Sequence, residues 1–344
     1  MKLDWKAGLG IAISVGLLWW LFRDQDLGLI ASQIRGADPL LFTLATAIAV
    51  SAYAIRAWRW KILLSPLCRD TSFYHRWATT HIGFMANNLL PARVGEFVRA
   101  YALARVEPVS VSGAFGSLVV ARFLDGISVV ALLIVAVALP SFPTGVMVFG
   151  QPLGGFVRGV IVTLSVLLVI IGTLVLVPDL ARGSVRRFGV LLPPALAARL
   201  TVMTDQFLDG LSVLRDPALF AASLALSLLH WSWYGLSFLL GMAAFHIDLG
   251  YGAALFTQSL VAFGAAIPSA PGFFGTWHAA AKVALVDAYG VPETQALAFA
   301  TGYHLAGFLP ITALGLYYAW RLNISVTRPE SDAPPASVEA QGAA

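Results

Sequence analysis

The stretch HIGFMANNLLPARVGEFVRAYALAR, from His81 to Arg105, places strong polarity between two apolar segments of the chain. It contains two adjacent asparagines, a proline, and three ionisable residues at spacings of three, Arg93, Glu96 and Arg99. The segments on either side are long enough to cross a membrane as helices. Polarity at this place needs a physical reason, because unsatisfied polar groups are costly in hydrocarbon.

The composition of the whole chain is that of a membrane protein. Of its 344 residues, 58% are hydrophobic and only 12% are charged, whereas an ordinary soluble domain has about 25% charged residues. The net charge of +4 fits cationic cytoplasmic loops, so we expect no nucleic-acid partner. The single cysteine, Cys68, cannot form an internal disulfide, and no Cys/His spacing resembles a metal site. We expect neither a metal nor another cofactor.

The apolar runs predict an all-α, polytopic helical membrane bundle of about seven spans. The approximate spans are 7–22, 39–60, 109–140, 155–177, 218–245, 250–267 and 294–320. Two further segments, about 77–91 and 272–288, are too short, too polar or too glycine-rich for simple crossings, and we expect them to be re-entrant or broken helices. Residues 1–324 are predicted to form one integral membrane domain. The tail 325–344, rich in Pro, Ala and Ser, is predicted to be disordered.

Loop charge predicts the orientation of the bundle. The connection 178–217 contains five arginines and is predicted to be an amphipathic helical segment at the cytoplasmic surface. The same side receives Lys2, Lys6, Arg56, Arg59, Lys61, Arg69, Arg76, Arg321 and Arg328. The opposite side receives Arg23, Arg35, Arg158 and Lys282. Both termini are therefore predicted to be cytoplasmic.

Two breaks interrupt the apolar pattern, one in each half of the chain. The first lies at Pro91 and Gly95, and the second lies in FGAAIPSAPGFFGTWHAA, residues 263–280, at Pro268, Pro271, Gly272 and Gly275. The predicted topology places them on opposite faces of the membrane. Paired Pro/Gly breaks indicate the substrate site of an inverted-repeat transporter, and ordinary loops or proline kinks are the alternative.

Arg122 and Asp125 lie in the middle of the span 109–140. Their spacing of three places them on one helix face, within reach of each other. A charged side chain near the bilayer centre costs about 2.5–3.5 kcal/mol on insertion scales. The two residues are therefore predicted either to line a polar cavity or to form a buried structural ion pair.

The polar residues of the first break also allow two interpretations. Arg93, Glu96 and Arg99 share one helix face, where Arg93 could bind a phosphate with its planar fork and Glu96 could hold an arginine, a cationic headgroup or a proton. The alternative is a solvated turn at the surface, which we favour for Arg99 alone. Asn87 and Asn88 could donate to a phosphate or cap the following helix, and capping is the commoner role.

Three motifs carry a resemblance to a known family. NNLLPARVGEFVRAYAL at 87–103, ARFLDG at 121–126 and PSAPGFFGTWHAA at 268–280 resemble, in order and spacing, the lysylphosphatidylglycerol synthase transmembrane, or flippase-like, family. The resemblance covers residues 5–322. It implies a lipid-translocating domain of the bacterial inner membrane, which in the best-known members carries aminoacylated phosphatidylglycerol and in some is fused to a soluble aminoacyl transferase.

The sequence departs from that family at three places. It ends shortly after the last span, so we expect no transferase domain and no lipid aminoacylation by this chain, and a separate lipid-modifying enzyme becomes an expected partner. Ala121 and His278 stand where the family often has a glutamate, which leaves the identity of the lipid open. His278 is predicted to be a packing histidine, with a titratable headgroup contact as the alternative.

The sequence therefore predicts a protein, not an enzyme, that passes lipid headgroups across the membrane, with membrane lipids as its ligands. The predicted site residues are Asn87, Asn88, Arg93, Glu96, Arg99, Arg122, Asp125, Pro271, Gly272, Gly275 and His278. The chain has no G-x-x-x-x-G-K-[ST] loop for ATP. Two alternatives stay open: an intramembrane transferase with Glu96 or Asp125 as base, and a membrane scaffold whose polar residues only hold helices together.

The predicted orientation can be checked by labelling. A cysteine introduced near Arg186 should resist a membrane-impermeant thiol reagent added to intact cells, because the arginine-rich connection is expected inside. The same cysteine should react after the membrane is permeabilised. Ready labelling of intact cells would contradict the orientation.

Overall fold

The computed structural model of the protein describes residues 5–90, 94–148, 150–267 and 269–325. Arg93, one of the predicted site residues, lies outside these ranges, as do Pro91, Pro268 and the predicted disordered tail from residue 326 onward. The described residues are mainly helical. This confirms the predicted all-α class.

The helices account for most of the described chain. In chain order they are α1 (Trp5–Phe22), α2 (Leu27–Arg35), α3 (Pro39–Leu64), α4 (Phe73–Leu89), α5 (Gly95–Val106), α6 (Val111–Ala138), α7 (Leu153–Leu176), α8 (Pro178–Gly189), α9 (Pro194–Leu211), α10 (Pro217–Ala244), α11 (Tyr251–Ala266), α12 (Thr276–Lys282) and α13 (Glu293–Arg321). Among them α3, α6, α7, α10 and α13 are long and apolar enough to cross a membrane, and α11 and the segment Ala12–Phe22 of α1 are shorter apolar helices. These seven helices overlap the seven predicted spans in position, and five of them are long enough to cross a membrane.

Polar caps fix where several long helices begin. The side chain of Asp38 accepts hydrogen bonds from the backbone N–H groups of the first turn of α3, and Asp216 does the same for α10. Each aspartate is followed by a proline, whose fixed φ suits the first helical position and which has no N–H to leave unsatisfied. The sequence Asp-Pro therefore starts two of the long helices.

The first predicted break joins α4 and α5 into a tight hairpin. The two helices run antiparallel, and Gly83 and Gly95 allow their backbones to touch: a Cβ on Gly95 would lie 2.2 Å from the carbonyl oxygen of Gly83. The side chain of Asn87 accepts a hydrogen bond of 2.8 Å from the N–H of Gly95, at the start of α5. The helices α4 and α5 thus pack closely against each other along one face.

The second predicted break joins α11 and α12 in a similar way. Gly264 packs against the backbone of Thr276 and the side chain of Ala280. Between the helices, Gly272 and Gly275 have positive φ angles of 71° and 90°, which residues with a Cβ rarely adopt. A π-helical turn, Val283–Ala288, follows α12; the sequence analysis did not predict it.

The connection between α7 and α10 is helical, as predicted, and consists of α8 and α9. Glycines bring α9 against the start of α6: a Cβ on Gly210 would lie 2.3 Å from the carbonyl oxygen of Gly113. Arg182 of α8 donates to the carboxylates of Asp205 and Asp179, which raise its pKa. Short strands that the sequence analysis did not predict, β1 (Met147–Val148) and β2 (Gln151–Pro152), form a hairpin before α7.

Helix α7 is held loosely by the rest of the described chain. Only Ile171 and Val175 of its 24 residues are buried, both near its C-terminal end. Apolar side chains such as Val162 and Val169 are more than half exposed. This surface is suited to contact lipid tails.

Three arginines assigned to cytoplasmic loops are instead buried within helices. Arg56 and Arg59 lie inside α3, which extends to Leu64, and Arg76 lies inside α4. They are therefore not loop charges, and counting them with the cytoplasmic loops was wrong; Arg56 and Arg59 fall inside the predicted span 39–60 itself. The predicted orientation then depends mainly on the arginines of α8, α9 and the segment that follows α9.

The glycine contact in the first hairpin gives a prediction about stability. Gly95→Ala should lower the free energy of unfolding by about 1–3 kcal/mol, since the new methyl group overlaps the α4 backbone and overpacking costs about that much. Gly159→Ala is a matched control, because a Cβ at Gly159 meets no atom within 4 Å. Thermal unfolding of the purified protein in detergent measures both. Equal stability of the two variants would contradict the tight hairpin.

Candidate functional site

A cavity of about 1040 Å³ lies between the two hairpins. Charged and polar side chains of α3, α4, α5, α6 and α10 form one wall, and aromatic side chains of the second hairpin and α13 form another. The remaining side is lined by α7, through small and apolar residues including Gly155, Gly159 and Leu164. This wall is loosely packed, because only Ile171 and Val175 of α7 are buried.

The carboxylate of Asp125 lies at the centre of the charged wall and is buried. It accepts hydrogen bonds from Arg56 at 2.9 Å, from Arg59 at 2.6 Å and from Arg122 at 3.3 Å. The hydroxyl of Ser227 and the indole N–H of Trp231, both on α10, also donate to it, at 3.2 and 3.1 Å. One carboxylate thus joins α3, α6 and α10.

His230 supports this cluster in a neutral form. Its Nδ1 lies 3.0 Å from the carbonyl oxygen of Ala52, which can only accept, so Nδ1 carries the proton. Its Nε2 then accepts from the Nε of Arg56 at 2.9 Å. A protonated imidazole could not accept this bond, and the histidine therefore fixes the orientation of Arg56 without adding charge.

Arg122 differs from the other two arginines because its side chain is 39% exposed, into the cavity. Besides its bond to Asp125, it donates to Oε1 of Glu96 on α5. The second oxygen of Glu96 is buried and has no hydrogen-bond partner among the described residues. Among the guanidinium groups of the Asp125 cluster, that of Arg122 is thus the most accessible to a ligand. In this structure it is paired with the carboxylate of Glu96.

Arg99 is buried one turn after Glu96 on α5, with 3% of its surface exposed. The solvated surface position favoured for it from the sequence is therefore wrong. Its guanidinium lies 4.0 Å from the ring centre of Trp60. It makes no hydrogen bond to any other residue that the structure describes.

The two asparagines of the first break both line the cavity. Asn87 caps α5, as described above, which is the commoner of the two roles expected for it. Asn88 donates a hydrogen bond of 2.8 Å to the hydroxyl of Thr312 on α13 and so connects the first hairpin to the last helix. Both side chains position the break.

The predicted residues of the second break shape its turn rather than line the cavity. Pro271 begins a short 3₁₀ turn that contains Gly272, and Gly275 lies against the backbone of Ser14 in α1. His278 is buried among aromatic rings, 6.0 Å from Phe274 between ring centres. The neighbouring side chains that line the cavity are Phe273, Trp277 and His304.

Several members of the charged wall were not predicted as site residues from the sequence. They are Arg56, Arg59, Ser227, His230 and Trp231. A signal for some of them was present. Arg56 and Arg59 are three residues apart near the end of one apolar run, and Ser227 and His230 are three residues apart in another apolar run. The same spacing was the reason for predicting that Arg122 and Asp125 share a helix face. The contact between these faces depends on how α3, α6 and α10 pack.

Comparison with known proteins agrees with this architecture. Residues 8–315 match the sequence model of a family described as the lysylphosphatidylglycerol synthase TM region. The match includes the charged cluster and both hairpins. A protein of Methanothermobacter thermautotrophicus described as a UPF0104 membrane protein is 30% identical over 122 residues. The aligned segment covers 35% of this chain and 36% of that protein, so the chain spans about a third of that relative's length.

The geometry of the cluster gives different predictions for two neighbouring charges on α6. Asp125→Ala should lower the free energy of unfolding by about 3–5 kcal/mol, because it leaves Arg56, Arg59 and Arg122 without their common acceptor. Arg122→Gln should cost about 1 kcal/mol or less, since water in the cavity can hydrate Glu96. Denaturant unfolding in detergent compares the two. An Asp125→Ala variant as stable as the parent protein would contradict the structural role of this carboxylate.

Proposed function

The chain belongs to the lysylphosphatidylglycerol synthase transmembrane-region family, and on this premise we propose that it moves lipid headgroups across the membrane. It is a membrane protein of a family with a membrane lipid-related function. In the proposal, the headgroup passes through the cavity while the acyl tails stay in the surrounding lipid.

The observation that carries the proposal is the charged wall of a large cavity inside an apolar bundle. The main barrier to headgroup movement is the loss of water around its charge, since a charged group near the bilayer centre costs about 2.5–3.5 kcal/mol even on insertion scales. Arg122, Glu96 and Asn88 line the cavity with donors and acceptors. These groups can replace part of the hydration shell of a headgroup and lower the barrier.

The loosely held helix α7 supports the same proposal from the lipid side. A lipid can enter such a cavity only if its tails stay outside, so one wall must yield to hydrocarbon. The cavity-facing residues Gly155 and Gly159 carry no side chain to block this wall, and no atom lies within 4 Å of a Cβ built on Gly159. The apolar exterior of α7 suits contact with lipid tails.

The driving force is part of the proposal. Without an ATP-binding loop in the sequence, net movement follows a lipid gradient or couples to ions. Asp125 accepts bonds from five donor groups and is poorly placed to take up a proton. Glu96, with one oxygen unpartnered among the described residues, is the better candidate for coupling.

We further propose a location in the inner membrane with cytoplasmic termini and a separate lipid-modifying enzyme as partner.

A second candidate function is an intramembrane transferase that acts on a phospholipid or a polyprenyl-phosphate. The unpartnered oxygen of Glu96 beside Arg122 favours it, because a base and a phosphate-binding cation would then share the cavity. Product analysis separates the two functions, since a translocase leaves its lipid chemically unchanged. The third candidate, a membrane scaffold, does not explain why the side chain of Arg122 is accessible from the cavity.

Reconstitution tests the proposal. Purified protein in vesicles that contain NBD-labelled phosphatidylglycerol should expose inner-leaflet label to external dithionite much faster than protein-free vesicles do. Arg122→Gln should slow this exposure by about tenfold or more, as a charge-assisted hydrogen bond contributes about 1.5–3 kcal/mol.

Arg35→Gln is the matched control, because it removes the same charge from the exposed end of α2. It should behave as the parent protein does. If the parent protein exposes no more label than empty vesicles do, and the same holds for other labelled lipids, headgroup translocation is excluded.

A further inference from the structure

The charged cluster has more positive than negative side chains. Four arginines belong to it among the described residues, whereas it contains two carboxylates, those of Glu96 and Asp125. The arginines are Arg56, Arg59, Arg99 and Arg122. His230 is neutral because of its hydrogen bonds. The difference of four and two leaves two positive charges in this wall of the cavity.

Arg122 is the arginine through which a ligand can reach this excess charge. Arg59 is buried behind Asp125 and does not line the cavity, while Arg56 lines it but is held by Asp125 and His230. Arg122 is exposed, and one of its donor nitrogens is occupied by Glu96. Because a phosphate and a carboxylate use the same guanidinium donors, a phosphate that binds Nη2 of Arg122 competes with Glu96 for that nitrogen.

Arg99 is placed to receive the displaced carboxylate. It follows Glu96 by three residues on α5, so that the two side chains share one helix face. Its guanidinium is buried against Trp60, and its Nε has no hydrogen-bond partner within the described chain. Glu96 can therefore move from one cation to another without leaving the cluster unpaired.

We propose that the cavity selects a net-anionic phosphate headgroup, a phosphomonoester or a diphosphate, and that Glu96 passes from Arg122 to Arg99 when the phosphate binds. The inference rests on the proposed function and names its substrate class. Two negative charges on the phosphate neutralise the excess of the cluster. A headgroup with a net positive charge, such as an aminoacylated one, would add to the excess and is disfavoured.

Lipid selectivity in reconstituted vesicles tests the substrate class. The probes are NBD-labelled phosphatidic acid, phosphatidylglycerol and lysylphosphatidylglycerol, each at the same trace level in neutral vesicles. We expect phosphatidic acid to move fastest and lysylphosphatidylglycerol slowest, with at least about a tenfold difference, because like charges repel in a site of low dielectric constant.

The outcomes separate the inference from the function on which it rests. If lysylphosphatidylglycerol moves as fast as the anionic lipids, the inference is wrong and translocation stands. If none of the three lipids moves, translocation itself fails. Uptake of radiolabelled inorganic phosphate by the same vesicles should equal that of empty vesicles, and uptake above that level would assign the site to soluble phosphate instead of lipid.

A double-mutant cycle tests the transfer of Glu96. Arg99→Gln should slow phosphatidic acid movement by about tenfold, because the displaced carboxylate then has no cation to receive it. In a Glu96→Gln background the same change should cost about threefold or less, since no carboxylate needs a new partner. Equal losses in the two backgrounds would overturn the transfer.

Arg99→Lys keeps the test valid if Arg99→Gln disturbs folding. A lysine at this position can still pair with Glu96, so movement of phosphatidic acid should return to within about threefold of the parent protein. Size-exclusion profiles and unfolding midpoints are compared for all variants. A folded Arg99→Lys variant as slow as Arg99→Gln would also contradict the proposed transfer.

Discussion

A single buried carboxylate holds together three of the helices that can cross the membrane. Asp125 on α6 accepts hydrogen bonds from Arg56 and Arg59 on α3 and from Ser227 and Trp231 on α10. Each arginine requires an acceptor, because removing one partner of a buried ion pair costs about 3–5 kcal/mol. The relative positions of α3, α6 and α10 are thereby fixed, and so is the orientation of Arg122 at the edge of the cavity. An interaction of this kind adds specificity to a bundle whose apolar contacts alone would allow the helices to slide.

The two hairpins complete the site by a different principle, the close approach of backbones. Glycines at 83 and 95 in the first hairpin and at 264 in the second allow the paired helices to approach closely. In the first hairpin the N–H of Gly95 donates to the side chain of Asn87, and in the second the N–H of Ala270 donates to the hydroxyl of Ser14. Irregular backbone inside an apolar bundle is tolerated only where protein buries it or it lines a cavity. The hairpins are therefore closely packed walls, in contrast to α7.

Much of this architecture follows from the sequence, and the missing part has a physical reason. Seven helices coincide with the apolar runs, and the predicted glycines Gly95, Gly272 and Gly275 lie at the two breaks, because hydrophobic length and backbone restriction are local properties. Arg56 and Arg59 were counted with the cytoplasmic charges, because arginine is rare in the interior of an apolar span, although both lie inside α3, which continues to Leu64. The role of His230 depends on Ala52 and Arg56, 178 and 174 positions away in the chain. No local pattern encodes such a contact.

The length of α7 links the cavity to the thickness of the bilayer. Its 24 residues span about 36 Å at a rise of about 1.5 Å per residue, more than the about 30 Å of an average hydrocarbon core. A helix that is too long for its membrane tilts, and neighbouring helices usually limit the angle. In this protein few neighbouring helices limit the tilt of α7, because its buried residues are confined to Ile171 and Val175. We therefore expect the thickness of the bilayer to affect the tilt of α7 and, with it, the width of the cavity.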